Sequence, residues 1–242
     1  MSWRADLVLT TAARAEQDST VMGATSRMFV EMMRTPQGRT LVLDVLPATF
    51  PWVRYLPAHD VREFSVELVE ALGAAAELDN TAAVAQLITE WRHTAEVHAD
   101  PELYAALTTD SGEDYGPVPA RSRIVSPKHG DRAAPPPGED EWDVRFANGE
   151  AAKGWEQLST QAASNTHAAW HLMRTDPAPA TRTERHHRLK GELARGAHRG
   201  DAMDRWQIEV TAGGRIWYLL DVERRTVWID RASTGHPKAT DR

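Results

Sequence analysis

The sequence predicts an α+β protein, in which a small antiparallel sheet with two helices on one face follows a mainly helical region. Apolar residues recur at helical spacing over residues 59–107. They alternate with other residues in three late stretches, at 205–211, 215–221 and 226–231. A segment rich in proline and glycine, residues 111–141, separates the two patterns. Helices that precede and flank an antiparallel sheet in this way are typical of an α+β fold.

The N-terminal region, residues 1–110, is predicted to be mainly helical. One strand candidate lies within it, the short apolar run TLVLDVL at residues 40–46. Asp60 is a candidate N-cap, with Glu63 three residues later in the arrangement of a capping box. A second helix is predicted from residue 81, and Pro101 stands at the first position of a third, short helix.

Residues 111–141 have the composition of a linker. The segment contains PVPARS and AAPPPGEDE, and it holds too few apolar side chains to offset the entropy of ordering it. It therefore marks the predicted domain boundary, between the helical region at 1–110 and a second domain at 142–242.

The second domain is predicted to contain one strand, two helices and then three strands. WDVRF, at residues 142–146, alternates as a strand does, and residues 150–159 and 165–174 are helical. A proline-broken loop and a basic loop, residues 185–200, lead to the three closing strands. The tripeptide AGG between the first two of those strands predicts a hairpin.

Composition excludes several kinds of site and several classes of protein. The chain has no cysteine, which excludes disulfides, thiolate metal sites and a cysteine nucleophile, and fits a cytoplasmic protein. No apolar run approaches the ~20 residues of a membrane span, and no signal peptide is recognisable, so we expect no membrane partner. His93 and His98 are five residues apart, which places them on different helix faces, so no metal site and no cofactor site is predicted.

Charge is distributed unevenly along the chain, whose net charge is −7. Residues 1–141 hold 12 Lys and Arg against 22 Asp and Glu, a net charge of −10. Residues 142–242 hold 16 against 13, a net charge of +3. Either the acidic part neutralises the basic part, or the basic part binds a polyanion. Solvated helix faces without a function are the third explanation.

The cations of the second domain are the candidates for chemistry. Arg215 follows two glycines and opens a strand, where an exposed arginine can clamp a phosphate with two hydrogen bonds. Six cationic or titratable groups within nine residues attract a phosphate backbone through counterion release. These six are Arg182, Arg185, His186, His187, Arg188 and Lys190. His236, held between glycine and proline after the last strand, is a candidate general acid. Solvated surface charges and packed histidines are the ordinary structural alternatives.

Aromatic residues interleave with these cations. Alternation along the strand places Trp217 on the same face as Arg215, where a nucleic acid base can stack on an exposed ring. Core packing is the competing explanation, and we expect it for most of the aromatic residues Trp206, Trp217, Tyr218 and Trp228.

The segment from residue 142 to residue 238 resembles toxins of the bacterial RelE/ParE superfamily, which includes HigB-type and YoeB-type toxins. The resemblance rests on HRLKGELARG, on the strand GRIWYLLD and on the terminal strand leading into TGHPK. Arg215 and Tyr218 fit the R-x-x-Y pattern often found in that strand. The resemblance to these toxins covers about two-fifths of the chain. Residues 59–119, with WRHTAEVHADPELYAAL and DYGPVP, are similar to the C-terminal part of Phd/YefM-type antitoxins.

The resemblance implies a small α+β domain that is often an mRNA interferase, an endoribonuclease that cuts RNA without a metal and often on the ribosome. In such toxins the 2′-hydroxyl attacks the adjacent phosphate while a base takes its proton, an acid serves the leaving oxygen and Arg or Lys stabilises the charge. Carried over by position, Arg215 stabilises the phosphate, and Lys190 or His187 is a base or an electrostatic helper. Tyr218 or His236 is the acid. The expected RNA-binding residues are Arg185, His186, His187, Arg188 and Trp217.

Three functions therefore compete. The first is a toxin-type endoribonuclease, held in check in cis or in trans by an acidic, antitoxin-like segment that docks on the basic sheet. Its expected partners are RNA, including ribosome-bound mRNA, and an antitoxin. The second is a non-catalytic, toxin-like module that binds a partner or acts in a regulatory complex. The third is a gyrase poison of the ParE branch. In each case we expect a cytoplasmic protein without a cofactor.

Overall fold

The computed structural model describes residues 11–78, 80–109 and 136–235. The chain divides into two units, Met1–Thr89 and Glu90–Arg242.

The division falls inside a helix and precedes the predicted linker. The helix is α4, Ala82–Ala99, and residues 90–109 belong to the same unit as the sheet. Most of the predicted linker at 111–141 lies outside the described residues, as does the candidate acid His236. Within the described part of the chain, no helix is long and apolar enough to cross a bilayer.

The first unit is helical. Its elements are α1 Ala12–Met33, α2 Pro36–Thr49, a 3₁₀ turn at Pro51–Tyr55, α3 Ala58–Leu78 and the first half of α4. Asp60, predicted as the N-cap of α3, instead lies in the first turn of that helix and is fully buried.

The strand predicted at residues 40–46 was wrong, because this segment lies inside α2. Thr35 caps that helix by accepting a hydrogen bond from the Gly38 N–H at 3.0 Å, and Pro36 stands at its first turn. Val42 and Leu46, four residues apart, are buried on one helix face. A short apolar run does not by itself distinguish a strand from a buried helix face. Here the capping residue Thr35 marks the start of a helix.

The second unit continues with helices and a sheet, which confirms the α+β layout. The elements are α5 Pro101–Thr108, β1 Asp143–Phe146, α6 Gly149–Gln161, α7 Ala163–Thr175, β2 His186–Arg188, a 3₁₀ turn at Gly191–Ala194, β3 Arg195–His198, β4 Asp201–Glu209, β5 Arg215–Asp221 and β6 Thr226–Ser233. Asp100 caps α5 by accepting hydrogen bonds from the backbone N–H groups of Glu102 and Leu103. The basic segment predicted as a loop contains β2 and β3.

The sheet is mixed, whereas an antiparallel sheet was predicted. Its order is β1-β6-β5-β4-β2, with β3 also paired to β4. β1 runs parallel to β6, with Val144 opposite Val227, and the other neighbouring strands are antiparallel. A parallel pair requires a long connection between its strands, and the chain from α6 through β5 supplies it.

The first face of the sheet packs against α6 and α7, as predicted. Its core includes Ala151, Leu158, Ala169 and Met173 from the helices and Ile208, Ile216, Tyr218, Val227 and Ile229 from the strands. The helices fit closely because residue 154 has no side chain: a Cβ on Gly154 would lie 2.0 Å from the carbonyl oxygen of Ala232.

The second face of the sheet is also covered by helix, which the prediction of helices on one face did not include. Val97 at the end of α4, together with Leu103 and Leu107 of α5, packs against this second face. The apolar side chains they meet are Leu189, Leu193 and Trp217. Residues 90–109, here called the cover segment, therefore bury part of the second face.

Candidate functional site

Strand β5 separates two of the predicted catalytic residues. Tyr218 packs in the core beneath α6 and α7, whereas Trp217 packs against the cover segment. Arg215 pairs with Glu96 of α4, which places it on the same side as Trp217. Residues three apart in a strand point to opposite faces. The R-x-x-Y pair that the resemblance assigns to one site is therefore split across the sheet.

Tyr218 belongs to a neutral, buried group on the first face. Its hydroxyl donates to the carbonyl oxygen of Pro177 at 2.5 Å and accepts from His186 Nε2 at 2.6 Å. Burial raises the pKa of Tyr218 well above its usual value and lowers the pKa of His186 to about 4. His186 and Tyr218 thus stabilise the core, and neither lies on the cationic face expected to meet RNA.

The second face carries a layer of ion pairs beneath α4, in which Arg215 and the Glu90 carboxylate are buried and Arg182 is exposed. Arg215 is 3% exposed, and its Nη2 lies 3.0 Å from Glu96 Oε2. Lys190 Nζ lies 3.3 Å from Glu90 Oε2, and Arg182 Nη1 lies 3.5 Å from the same oxygen. Both carboxylates come from the cover segment, and all three cations come from the sheet domain.

Two histidines meet in the same layer. The Nδ1 atom of His93, on α4, lies 3.1 Å from Nε2 of His187, and their rings stack. His187 Nδ1 lies 3.2 Å from the carbonyl oxygen of Thr183, which only accepts. A neutral His187 therefore donates from Nδ1 and has its lone pair on Nε2, which faces His93. Gln207, whose Oε1 accepts from Trp217, places its Nε2 donor 3.3 Å from the same His93 nitrogen. Burial lowers the pKa of His187 to about 4, which favours this neutral form.

Backbone groups fix the cover segment to the sheet as well. The backbone N–H of Lys190 donates to the Thr94 hydroxyl at 2.9 Å, and Arg205 donates to the carbonyl oxygen of Leu107. Arg205 also pairs with Asp230 at 3.5 Å, and burial raises the pKa of that carboxyl to about 6. Both ends of the cover segment are therefore bonded to the second face.

The remaining predicted RNA-binding residues lie at the sheet edge or in the core. Arg188 pairs with Asp204 at 2.7 Å, and Arg185 lies 3.6 Å from Glu209; both arginine side chains are partly exposed. Trp217 is 1% exposed, and its indole N–H donates to Gln207 Oε1 at 2.8 Å. The expectation of an exposed ring on which a base can stack was therefore wrong.

Sequence reasoning missed the residues of α4 that complete this site. Glu90, His93 and Val97 follow the spacing of one helix face, and Glu96 lies beside them. The sequence pattern relates His93 only to His98, as a possible pair of metal ligands. The spacing of three residues between His93 and each of the two glutamates, Glu90 and Glu96, was the sequence signal that these side chains lie near one another on the helix.

The arrangement is a cationic, imidazole-bearing face whose charges are occupied by carboxylates. Arginine and lysine bind phosphate oxygens, and a neutral imidazole accepts a proton. Among residues 11–78, 80–109 and 136–235, no three or more His, Cys, Asp or Glu side chains are grouped to hold a metal ion.

Comparisons of the chain with protein-family models, with curated proteins and with solved structures found no significant match. The resemblance to toxins rests on the sequence motifs quoted above.

Proposed function

We propose that residues 142–242 form a RelE/ParE-like toxin, a metal-independent endoribonuclease, whose cationic sheet face is covered in cis by residues 90–109. One observation carries the proposal. Glu96 of α4 pairs with Arg215, which the resemblance assigns to the phosphate, and Glu90 pairs with Lys190, which it assigns as a base or electrostatic helper. An inhibitory segment that replaces phosphate oxygens with carboxylate oxygens makes contacts of this kind.

The cover segment also contacts the other polar groups of the second face. Arg182 is bonded to Glu90, and the Nε2 atom of His187 is occupied by His93. Removal of the segment would expose these groups together with Lys190 and Arg215. The resulting face has cations for a phosphate backbone and one imidazole for proton transfer.

His187 is the proposed general base. It takes the proton of the 2′-hydroxyl through Nε2 as that oxygen attacks the adjacent phosphorus and the bond from phosphorus to the leaving oxygen breaks. Arg215 and Lys190 stabilise the negative charge on the phosphate. Burial holds the pKa of His187 at about 4, and exposure returns it toward its ordinary value, which suits a base at neutral pH. The acid is His236 in this proposal, because Tyr218 lies on the opposite face.

The substrate class follows from this chemistry. Attack by a 2′-hydroxyl requires RNA, and the resemblance indicates mRNA, including mRNA on the ribosome. We propose a cytoplasmic location on the same grounds. Residues 90–109 act as the antitoxin in cis.

The test removes the two carboxylates from the full-length chain. Glu96→Gln removes the carboxylate that lies 3.0 Å from the buried Arg215 guanidinium. Loss of one partner of a buried ion pair costs about 3–5 kcal/mol, which favours release of α4. We expect the double variant E90Q/E96Q to cleave single-stranded RNA in the presence of EDTA and to arrest growth, whereas the unaltered chain does neither. Adding Arg215→Gln should abolish both effects. The matched control is E63Q/E70Q, which removes two charges from exposed positions of α3.

The outcomes separate the competing functions. A folded E90Q/E96Q variant that neither binds nor cuts RNA would overturn the proposal. RNA binding that depends on Arg215 without cleavage would favour the non-catalytic module, a candidate supported by the burial of Tyr218 away from the cationic face. A DNA-damage response without loss of RNA would indicate a gyrase poison.

A further inference from the structure

The first unit contains a groove bounded by α1, α3 and the first half of α4. Its volume is about 510 Å³. Sites for small molecules usually have volumes of about 300–1,000 Å³ and mainly apolar walls with a few polar groups. The size of the groove therefore suits a small molecule.

The walls of the groove are mainly apolar and largely made of small residues, with three hydroxyl groups from Thr20, Ser26 and Thr81. Leu72, Val84 and Ile88 supply the larger apolar surfaces. The space between the helices is kept open by residues with a methyl group or no side chain, namely Gly23, Ala75, Ala76 and Ala85. A larger side chain at any of these positions would project into the space that a ligand needs.

One charged side chain lines this groove. Arg27 of α1 is exposed, and none of the carboxylates in the described part of the chain forms a salt bridge with it. The nearby Glu31 pairs with Arg34 instead, at 3.3 Å. A guanidinium at an apolar groove binds carboxylate, sulfonate or phosphate oxygens with charge-assisted hydrogen bonds.

We propose that this groove binds a small amphipathic anion, with its apolar chain against Leu72, Val84 and Ile88 and its carboxylate on Arg27. The charge of Arg27 selects an anion over a neutral molecule of the same shape. The site does not depend on the proposed toxin activity.

Titration calorimetry of the full-length chain with decanoate, and with decanol as its neutral counterpart, tests the proposal. We expect saturable binding of decanoate and roughly tenfold weaker binding of decanol, because a hydrogen bond to a charged group is lost. Arg27→Gln should weaken decanoate roughly tenfold and leave decanol unchanged, and Arg27→Lys should retain part of the difference. Ala85→Phe should block both ligands by filling the groove.

The matched controls lie on the same helices outside the groove. Arg14→Gln removes an exposed arginine of α1, and Ala83→Phe adds a ring to an exposed position of α4. Both should bind decanoate as the unaltered chain does, and circular dichroism confirms that each variant is folded. The proposal is overturned if no saturable binding occurs, if decanol binds as well as decanoate, or if Arg27→Gln leaves the affinity for decanoate unchanged.

Discussion

At the scale of single residues, burial determines which groups are available for chemistry. Arg215 and Tyr218 are both almost fully buried, yet for different reasons. Arg215 lies beneath a helix that pairs with it through Glu96, so removal of that helix would expose it. Tyr218 lies within the core and is bonded to His186 and to a backbone carbonyl group, so only unfolding would expose it.

The buried histidines predict a loss of stability on acidification. Burial lowers the pKa values of His186 and His187 to about 4, whereas histidines of the unfolded chain titrate near 6.5. Between these values the unfolded state binds more protons, so the free energy of unfolding decreases as the pH falls. Asp230 acts in the opposite sense, because burial raises its pKa to about 6. Two histidines outweigh this one carboxyl group.

Denaturant unfolding at several pH values measures the effect. We expect His187 to account for roughly 2 kcal/mol of lost stability between about pH 7 and about pH 5. His187→Gln should remove that part of the pH dependence, whereas His167→Gln, at an exposed position of α7, should not. An equal pH dependence in H187Q and the unaltered chain would contradict the assignment.

At the scale of secondary-structure elements, close packing of α6 on β6 depends on one glycine. A Cβ on Gly154 would lie 2.0 Å from the Ala232 carbonyl oxygen, so the helix must move to accommodate any side chain. We expect Gly154→Ala to decrease the free energy of unfolding by about 3 kcal/mol.

Gly73→Ala is the matched substitution within another helix. A Cβ on Gly73 of α3 would lie 3.9 Å from the side chain of Val30, an ordinary van der Waals contact. Alanine is favoured over glycine inside a helix, so this change should stabilise the protein by about 0.5–1 kcal/mol. Thermal or denaturant unfolding of both variants compares them, and equal effects would show that the contact at Gly154 is not limiting.

At the scale of the whole molecule, charge opposes binding of RNA. The chain carries a net charge of −7, so any affinity for a polyanion depends on local cations rather than on the overall field. In the proposed mechanism, Lys190 and Arg215 become available only when the cover segment leaves the second face.

The salt dependence of RNA binding tests whether release of the cover segment exposes these cations. Each phosphate contact with single-stranded RNA contributes about −0.7 to the slope of log K against log salt concentration, so Arg182, Lys190 and Arg215 together predict a slope near −2 for E90Q/E96Q. The unaltered chain should bind weakly and with a shallower slope. Fluorescence anisotropy of labelled RNA measures both. If the control E63Q/E70Q gained the same slope, the change in net charge rather than exposure of these cations would be responsible.

The sequence by itself determined the elements that depend on local patterns. Periodicity located α3 to α7 and the strands β1, β4, β5 and β6, and Pro101 marked the start of α5, because each signal lies within a few residues. It also identified the cations Lys190 and Arg215, since a run of basic residues and an arginine after a glycine turn are visible without any structure.

Only the tertiary structure decided how those elements and charges combine. The parallel pairing of β1 with β6 joins residues far apart in the chain, and no local pattern specifies it. The pairing of Glu90 with Lys190 and of Glu96 with Arg215 likewise joins α4 to residues of the sheet domain that lie far from it in the chain. Strand alternation then placed Tyr218 beneath α6 and α7 and Arg215 beneath α4. Contacts of this kind depend on long-range packing, which is why the cationic residues were predicted and their burial was not.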